Sequence, residues 1–303
     1  MPRVLHTAQA LVDVVVEVPA LPGRGGNVNA TREARYAGGA VNILVAAARA
    51  GAEAVHGGAI GTGPNAELIR AALSREGIGM SDAPVPDLDT GTCIVLVEPA
   101  AERTFITTYG AERRVSAGSF ARLAPRPGDL VCISGYSLFE PTRDALLDFL
   151  ETLPEDVPVV LDPGAPFAGF PRALQDRVLA RTSVWTSNAS EARDLTGLDE
   201  VQDAPPAIRR RIRSGGAVVV RDGAKGCVVF HHGRGTWIPG FPQRPVDTNG
   251  AGDTHTGVLL AERALGADWE SAATRANAAA AIKVTRRGPA TAPTRSQVDA
   301  FLS

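Results

Sequence analysis

Short β-type runs alternate with longer helical patterns along most of this chain, and few folds accommodate that rhythm. Val4 to Thr7, Ala54 to Ile60, Leu130 to Ser134, Val157 to Leu161, Ser183 to Thr186 and Ala217 to Arg221 read as strands. Between them, Asn42 to Ala50, Ala66 to Glu76, Arg143 to Leu153, Arg172 to Ala180 and Glu191 to Thr196 read as helices. Strands linked through helices run parallel, and those helices then cover both faces of the sheet. The expectation is an α/β fold built on a mostly parallel central sheet.

Two segments break the rhythm. From Leu11 to Tyr36, β-type residues flank Pro19, Pro22, Gly23, Gly25 and Gly26; from Thr92 to Tyr109, two apolar runs flank a turn at Pro99 to Arg103. Both read as hairpin strands added outside the main sheet. No long linker, fixed-period repeat or low-complexity tract interrupts the 303 residues. A single domain over residues 1–303 is therefore expected, with the strands of 11–36 and 92–109 inserted in it.

Formal net charge is -2, and arginines are spread along the chain, so no electrostatic footprint for nucleic acid or an anionic membrane is expected. Cys93, Cys132 and Cys227 lie far apart in apolar runs and read as buried free thiols of a reducing compartment. The N-terminal apolar residues are interrupted by Asp13 and Glu17, with no basic region before a cleavable apolar stretch. Neither a signal peptide nor a membrane span is expected, and the expected place is the cytoplasm.

The richest chemistry lies at Asp247-Thr248-Asn249-Gly250-Ala251-Gly252-Asp253-Thr254. Val258, Leu259, Leu260, Ala261, Ala264 and Leu265 follow at helical spacing, placing a helix start near Gly250 to Gly252. Free amides at that end, glycines that admit a bulky anion and the positive end of the helix dipole together suit a phosphate. Asp253 beside it could accept a proton from a hydroxyl attacking phosphorus; alternatively it complements the dipole in the first turn. A second small-residue cluster, Ala37-Gly38-Gly39-Ala40-Val41-Asn42, precedes another apolar helix. Asn42 there could bond a polyhydroxy ligand or cap the helix. Asp13 could accept from two sugar hydroxyls or be a solvated turn residue.

These segments resemble the signatures of the ribokinase (PfkB) family of carbohydrate kinases. Asp247 to Asp253 matches its Asp-Thr-x-Gly-Ala-Gly-Asp motif, and Gly38-Gly39 with Asn42 is similar to its other signature. Asn188 to Glu191 matches its Asn-x-x-Glu motif, and Arg221-Asp222-Gly223-Ala224-Lys225-Gly226 resembles its nucleotide-side turn. Asn277 to Ala281, through Val284 to Gly288, resembles its adenine-wall helix and the loop after it. The resemblance runs in order from Val4 to Leu302.

It implies a ribokinase-like three-layer sandwich in which the hairpins form a small β-strand lid and often a dimer contact. It also implies ATP-dependent transfer to a hydroxymethyl group of a small sugar. Asp253 would be the catalytic base, and Gly250, Ala251 and Gly252 the anion hole. Asn188 and Glu191 would position Mg²⁺ through water, although Asn-x-x-Glu alone is also a helix-start pattern. Arg221, Gly223, Gly226 and Asn277 would line the ATP site. Asp13, Gly38, Gly39 and Asn42 would meet the sugar, with Arg103 and Tyr109 in reach of it, though a solvated turn is the leading reading of Arg103. Asp247, Asn249, Thr285 and Gly288 fall where some members hold a monovalent cation such as K⁺.

Two departures bear on the branch of the family. Only Ala40 and Val41 separate the glycine pair from Asn42, and no lysine follows the glycines. A phosphorylated sugar would want a cationic clamp, which tilts the expectation toward an uncharged sugar unless Arg24 or Arg103 substitutes. The Gly61-Thr62-Gly63-Pro64-Asn65-Ala66 stretch stands where many relatives have acids. Its spacing also permits a rival reading as a dinucleotide fingerprint, and hence an oxidoreductase. A silent sugar-binding regulator is a third class. Within the family, a nucleoside or a sugar acid remains an alternative substrate.

Overall fold

The computed structural model describes residues 1–81, 84–100 and 102–303. Strands run over Arg3–His6 (β1), Ala10–Glu17 (β2), Arg32–Gly39 (β3), Glu53–His56 (β4), Gly79–Met80 (β5), Thr92–Val97 (β6) and Arg103–Thr108 (β7). Six more follow at Leu130–Ser134 (β8), Val159–Asp162 (β9), Thr182–Asn188 (β10), Ala217–Arg221 (β11), Gly226–His231 (β12) and Arg234–Pro239 (β13). The helices are Ala40–Arg49 (α1), Pro64–Arg75 (α2), Ala117–Ala121 (α3), Thr142–Thr152 (α4), Arg172–Arg181 (α5), Ala189–Thr196 (α6), Ala204–Arg209 (α7), Ala251–Ala264 (α8), Trp269–Val284 (α9) and Arg295–Leu302 (α10).

A nine-stranded sheet has the order β13-β12-β11-β10-β9-β8-β1-β4-β5 and is parallel from β11 to β5. At the other edge β12 runs antiparallel to both its neighbours, β11 and β13. Their connections are too short for a crossover: His232 and Gly233, both at positive φ, turn β12 directly into β13. Successive residues of the buried strands face opposite layers. Val4, Val219 and Cys132 pack with α1, α8 and α9, whereas Leu5, Val218, Val220 and Val131 pack with α4, α5 and α7. Helix, sheet and helix thus form the expected three layers.

The two extra hairpins join into one four-stranded sheet, β3-β2-β6-β7. Antiparallel β2–β3 and β6–β7 meet through a parallel pairing of β2 with β6. The expected turn at Pro99 to Arg103 includes Ala101, which lies outside the described residues. The expected Ala54–Ile60 strand stops at His56, because Gly57-Gly58 bends the chain: a Cβ on Gly58 would meet the Ala8 carbonyl oxygen at 2.7 Å.

The dinucleotide reading fails here. The first amides of α2 are already taken, since Asn65 N and Ala66 N donate to the Asp89 carboxylate at 3.1 and 2.9 Å. No pyrophosphate can use them. Tight packing of α1 on α8 matters more for function. A Cβ on Gly257 would meet the Ile43 carbonyl oxygen at 2.3 Å, so this glycine lets the two helices approach closely enough for their first turns to share a site.

Candidate active site

Gly250 starts α8 with φ 76°, and a Cβ there would lie 2.5 Å from the Pro289 carbonyl oxygen. Only glycine fits both demands. Asp253 follows in the first turn, where Asn42 Nδ2 donates to its Oδ2 at 2.9 Å. Asn42 is not a helix cap: α1 starts at Ala40 with Gly39 as its cap, and the Asn42 amide is buried between α1 and α8. Burial pushes the Asp253 carboxyl up to about 6, helped by Asp162 and opposed by Asn42, Arg221 and Lys283. Of the three amides expected to form an anion hole, Ala251 N already donates to Thr248 O at 3.2 Å. Helix geometry leaves the Gly250, Gly252 and Asp253 amides without a partner inside the helix.

On one side of Asp253 lies a cavity of about 390 Å³, lined by Asp13, Gly39, Asn42, Tyr109, Asn249 and Asp253 among others. Gly38 shapes its wall, since a Cβ there would lie 2.3 Å from Asp13 Oδ2. Burial pushes the Asp13 carboxyl up to about 7, and the Asp253 charge adds to the shift. Tyr109 carries the Arg113 guanidinium over its ring at 4.0 Å, and Arg113 lines the same cavity.

Arg103 is not brought there. Strand register explains why: Asp13 sits opposite Cys93 and Thr107, whereas Arg103 lies four positions away, about 13 Å along the strand. Its Nη2 instead donates to Thr248 Oγ1 at 2.6 Å, latching the small sheet to the turn before α8.

On the other side, a cavity of about 440 Å³ is lined by Asn188, Arg221, Gly223, Gly226, Gly252 and Asn277, with Phe241, Ala280, Ala281 and Val284 as an apolar wall. Arg221 Nη1 donates to Thr186 Oγ1 and Thr256 Oγ1 at 2.8 and 2.9 Å, which fixes the guanidinium. Gly226 has φ 118°, and a Cβ there would clash with the Ile238 carbonyl oxygen at 2.1 Å. Asn277 lines the wall with its amide already engaged: Nδ2 donates to Ile238 O and Pro239 O, and Oδ1 accepts from His255 Nε2.

Asn188 and Glu191 form a reciprocal capping box at the start of α6, with bonds of 2.8 and 2.9 Å. That cap uses one Glu191 carboxylate oxygen. Burial raises the Glu191 pKa, as does the nearby Asp162 carboxylate, while Arg221 lowers it. Among the described residues, no three His, Cys, Asp or Glu side chains converge as a metal cage. A hard ion that keeps its own waters, as Mg²⁺ does, fits this sparse oxygen donor set.

The remaining sequence candidates are divided. Asp247 Oδ1 accepts from Asn249 N and Oδ2 from Gly288 N at 2.8 and 2.9 Å, and the three residues share a small cleft. Thr285 lies at the exposed end of α9, where its hydroxyl donates back to Ile282 O. Two residues escaped the sequence reading. Asp162 ends β9 and accepts from Thr256 Oγ1 at 3.4 Å; a carboxylate just after a buried strand, before Pro163-Gly164, was its signal. Lys283 is wholly buried, with its Nζ donating to Asp247 O at 2.8 Å, and burial lowers its pKa to about 8.

Comparison with known proteins places the chain in a family. A model described as pfkB family carbohydrate kinase matches residues 1–295. The uncharacterized sugar kinase YegV of Escherichia coli is 34% identical over 298 residues, covering 97% of this chain and 92% of the relative. A ribokinase of Haemophilus influenzae is 28% identical over 297 residues, covering 96% and 95%. The structure of Arabidopsis thaliana ribokinase complexed with ribose and ATP superposes with a TM-score of 0.82 at 23% identity, covering 100% of this chain and 99% of that one. The chain belongs to the pfkB family of carbohydrate kinases. It is a phosphotransferase acting on a hydroxyl group, with the ribokinase-like α/β fold. Among the described residues, no helix is long and apolar enough to cross a membrane.

Proposed function

We propose that this kinase transfers the γ-phosphoryl group of ATP to a hydroxymethyl oxygen of a small, uncharged sugar, with Asp253 as general base. One observation supports this above all. Asp253 lines the smaller cavity while its neighbour Gly252 lines the larger, so a phosphoryl group held at the α8 amides would lie between the two ligands. At neutral pH a carboxyl near 6 is ionised and can take the proton of the attacking hydroxyl. Asn42 positions it, and Arg221 with the Gly252 and Asp253 amides would balance charge on the moving group.

In the sugar cavity, Asp13 and Asn42 offer a carboxylate and an amide suited to hydroxyls. Asp13, Asp162 and Asp253 outnumber the single Arg113 guanidinium there, which disfavours an anionic sugar. The apolar wall of the larger cavity suits a flat base. Glu191 and Asn188 would hold Mg²⁺ through its waters on the nucleotide phosphates, and the ion would neutralise charge on the transferring phosphoryl group.

The small sheet contributes Asp13, Cys93 and Thr107 to the sugar cavity, and we assign it the part of a lid that excludes water. It would belong with the rest to a single domain of residues 1–303. Its outer strand leaves Phe105 and Ile106 exposed, which suits contact with a second copy of the chain. Release of ADP across a panel of pentoses, ketohexoses, sugar acids and nucleosides tests the reading. Turnover on a neutral sugar is expected; strict preference for a sugar acid or nucleoside would replace the substrate assignment.

A further inference from the structure

Lys283 and Lys225 are the only lysines in the chain, and they are used oppositely: Lys225 is exposed beside Asp222, while Lys283 is wholly buried. A buried ammonium calls for compensation. Its hydrogen-bond partner here is a backbone carbonyl, Asp247 O at 2.8 Å, and the nearby Asp247 and Asp253 carboxylates favour its charge. Every other polar atom of Asp247 is engaged too: N donates to Val284 O at 3.0 Å, and the two carboxylate oxygens accept from Asn249 N and Gly288 N. Residue 247 is thus clamped by the end of α9, the Gly288 loop, its own turn and the ammonium. The turn leads directly into Gly250 and the first amides of α8.

A free monovalent ion at this turn would need carbonyl oxygens to replace its hydration shell. The first of them already accepts from a protein cation. The Asp247, Asn249, Thr285 and Gly288 set therefore does not fit such an ion. We propose that the Lys283 ammonium is the resident cation of the Asp247–Asn249 turn, fixing the start of α8 without any monovalent metal ion. Lys283 is then a positioning residue.

The test measures thermal midpoint and ADP release in tetramethylammonium buffer, with KCl or a matched tetramethylammonium salt added. Wild-type protein should respond alike to both salts. Lys283→Ala should turn over roughly tenfold to a hundredfold more slowly, and K⁺ should raise both its midpoint and its rate. A wild-type midpoint or rate that rises with K⁺ alone overturns the proposal, as does Lys283→Ala working at the wild-type rate without K⁺. If Lys283→Ala does not fold, the wild-type arm decides. The rate arm rests on the kinase reading, whereas the thermal arm reports cation binding without turnover. Absent turnover on neutral sugars with an indifferent wild-type midpoint and a K⁺-stabilised variant would sink the substrate reading and support this one.

Discussion

The two cavities that meet at Asp253 are built on opposite principles. Around the smaller one, four lining residues hold a buried polar atom without a partner among the described residues: His6 Nε2, Gln9 Nε2, Asn42 Oδ1 and Arg113 Nε. Around the larger one only His255 Nδ1 does so. Buried polar atoms left unpaired are unfavourable, so four around one cavity mark where a ligand rich in donors and acceptors would complete the network. The larger cavity has already satisfied Asn277 and Arg221 internally and presents shape, apolar wall and backbone. Specificity should therefore be sensitive to side chains on the sugar side and tolerant of them on the nucleotide side.

The hardest break of that contrast is Asp253→Asn. It keeps the volume and removes the base, so kcat should fall about a thousandfold while ATP affinity changes little. Single-turnover rates with nucleotide titration check this, and a variant with wild-type turnover would refute the assigned mechanism. Asp13→Asn should lower kcat/KM for the sugar about a hundredfold, because a carboxylate accepting from hydroxyls becomes half a donor.

The same variant should be more stable than wild type in alkaline buffer. In the folded chain Asp13 titrates near 7 rather than 3.8, so between those values the folded state keeps a proton that the unfolded state releases. Stability conferred by that proton is lost as pH rises through the window. Removing the carboxyl should raise the midpoint by about 2–5 °C at pH 8 and leave it unchanged near pH 4.

A pH profile sharpens the comparison further. Asp253 must be ionised to act, so kcat should fall about tenfold per unit below pH 6, where its carboxyl becomes protonated. Asp13 already holds its proton where Asp253 titrates, so Asp13→Asn should leave this limb in place. ATP binding measured alone should show no such limb. If it did, the protonation would belong to the nucleotide side.

How much of this was legible depended on whether the signal was local. Leu130–Ser134 and Ala217–Arg221 are unbroken apolar runs, and both form strands at those bounds. β12 and β13 escaped because their turn, His232-Gly233, lacks the usual Asn-Gly or Asp-Gly form. The extra strands were visible as hairpins, but the β2–β6 pairing joins residues some eighty positions apart and left no pattern in either segment. The site divides likewise. Gly250 and Asp253 could be read from one turn, because glycine need and helix start coincide there. Asp162 meets Thr256 only through the fold, and the bond from Lys283 to a carbonyl has no side-chain partner to betray it.

The smallest expected effect on activity is also the most discriminating for the nucleotide side. Asn277 lines the larger cavity, yet its amide ties β13 to α8 through Ile238, Pro239 and His255. Asn277→Ala would leave two carbonyls and an imidazole unpaired in a buried wall, lowering stability by about 1–3 kcal/mol. The KM for ATP should rise only about threefold, since the substitution removes no group free to bond the nucleotide. Chemical denaturation and steady-state kinetics on the same preparation separate the two effects. A KM raised about a hundredfold with stability intact would mean that Asn277 releases its internal partners to hold the base, and the larger cavity would then be as side-chain dependent as the smaller.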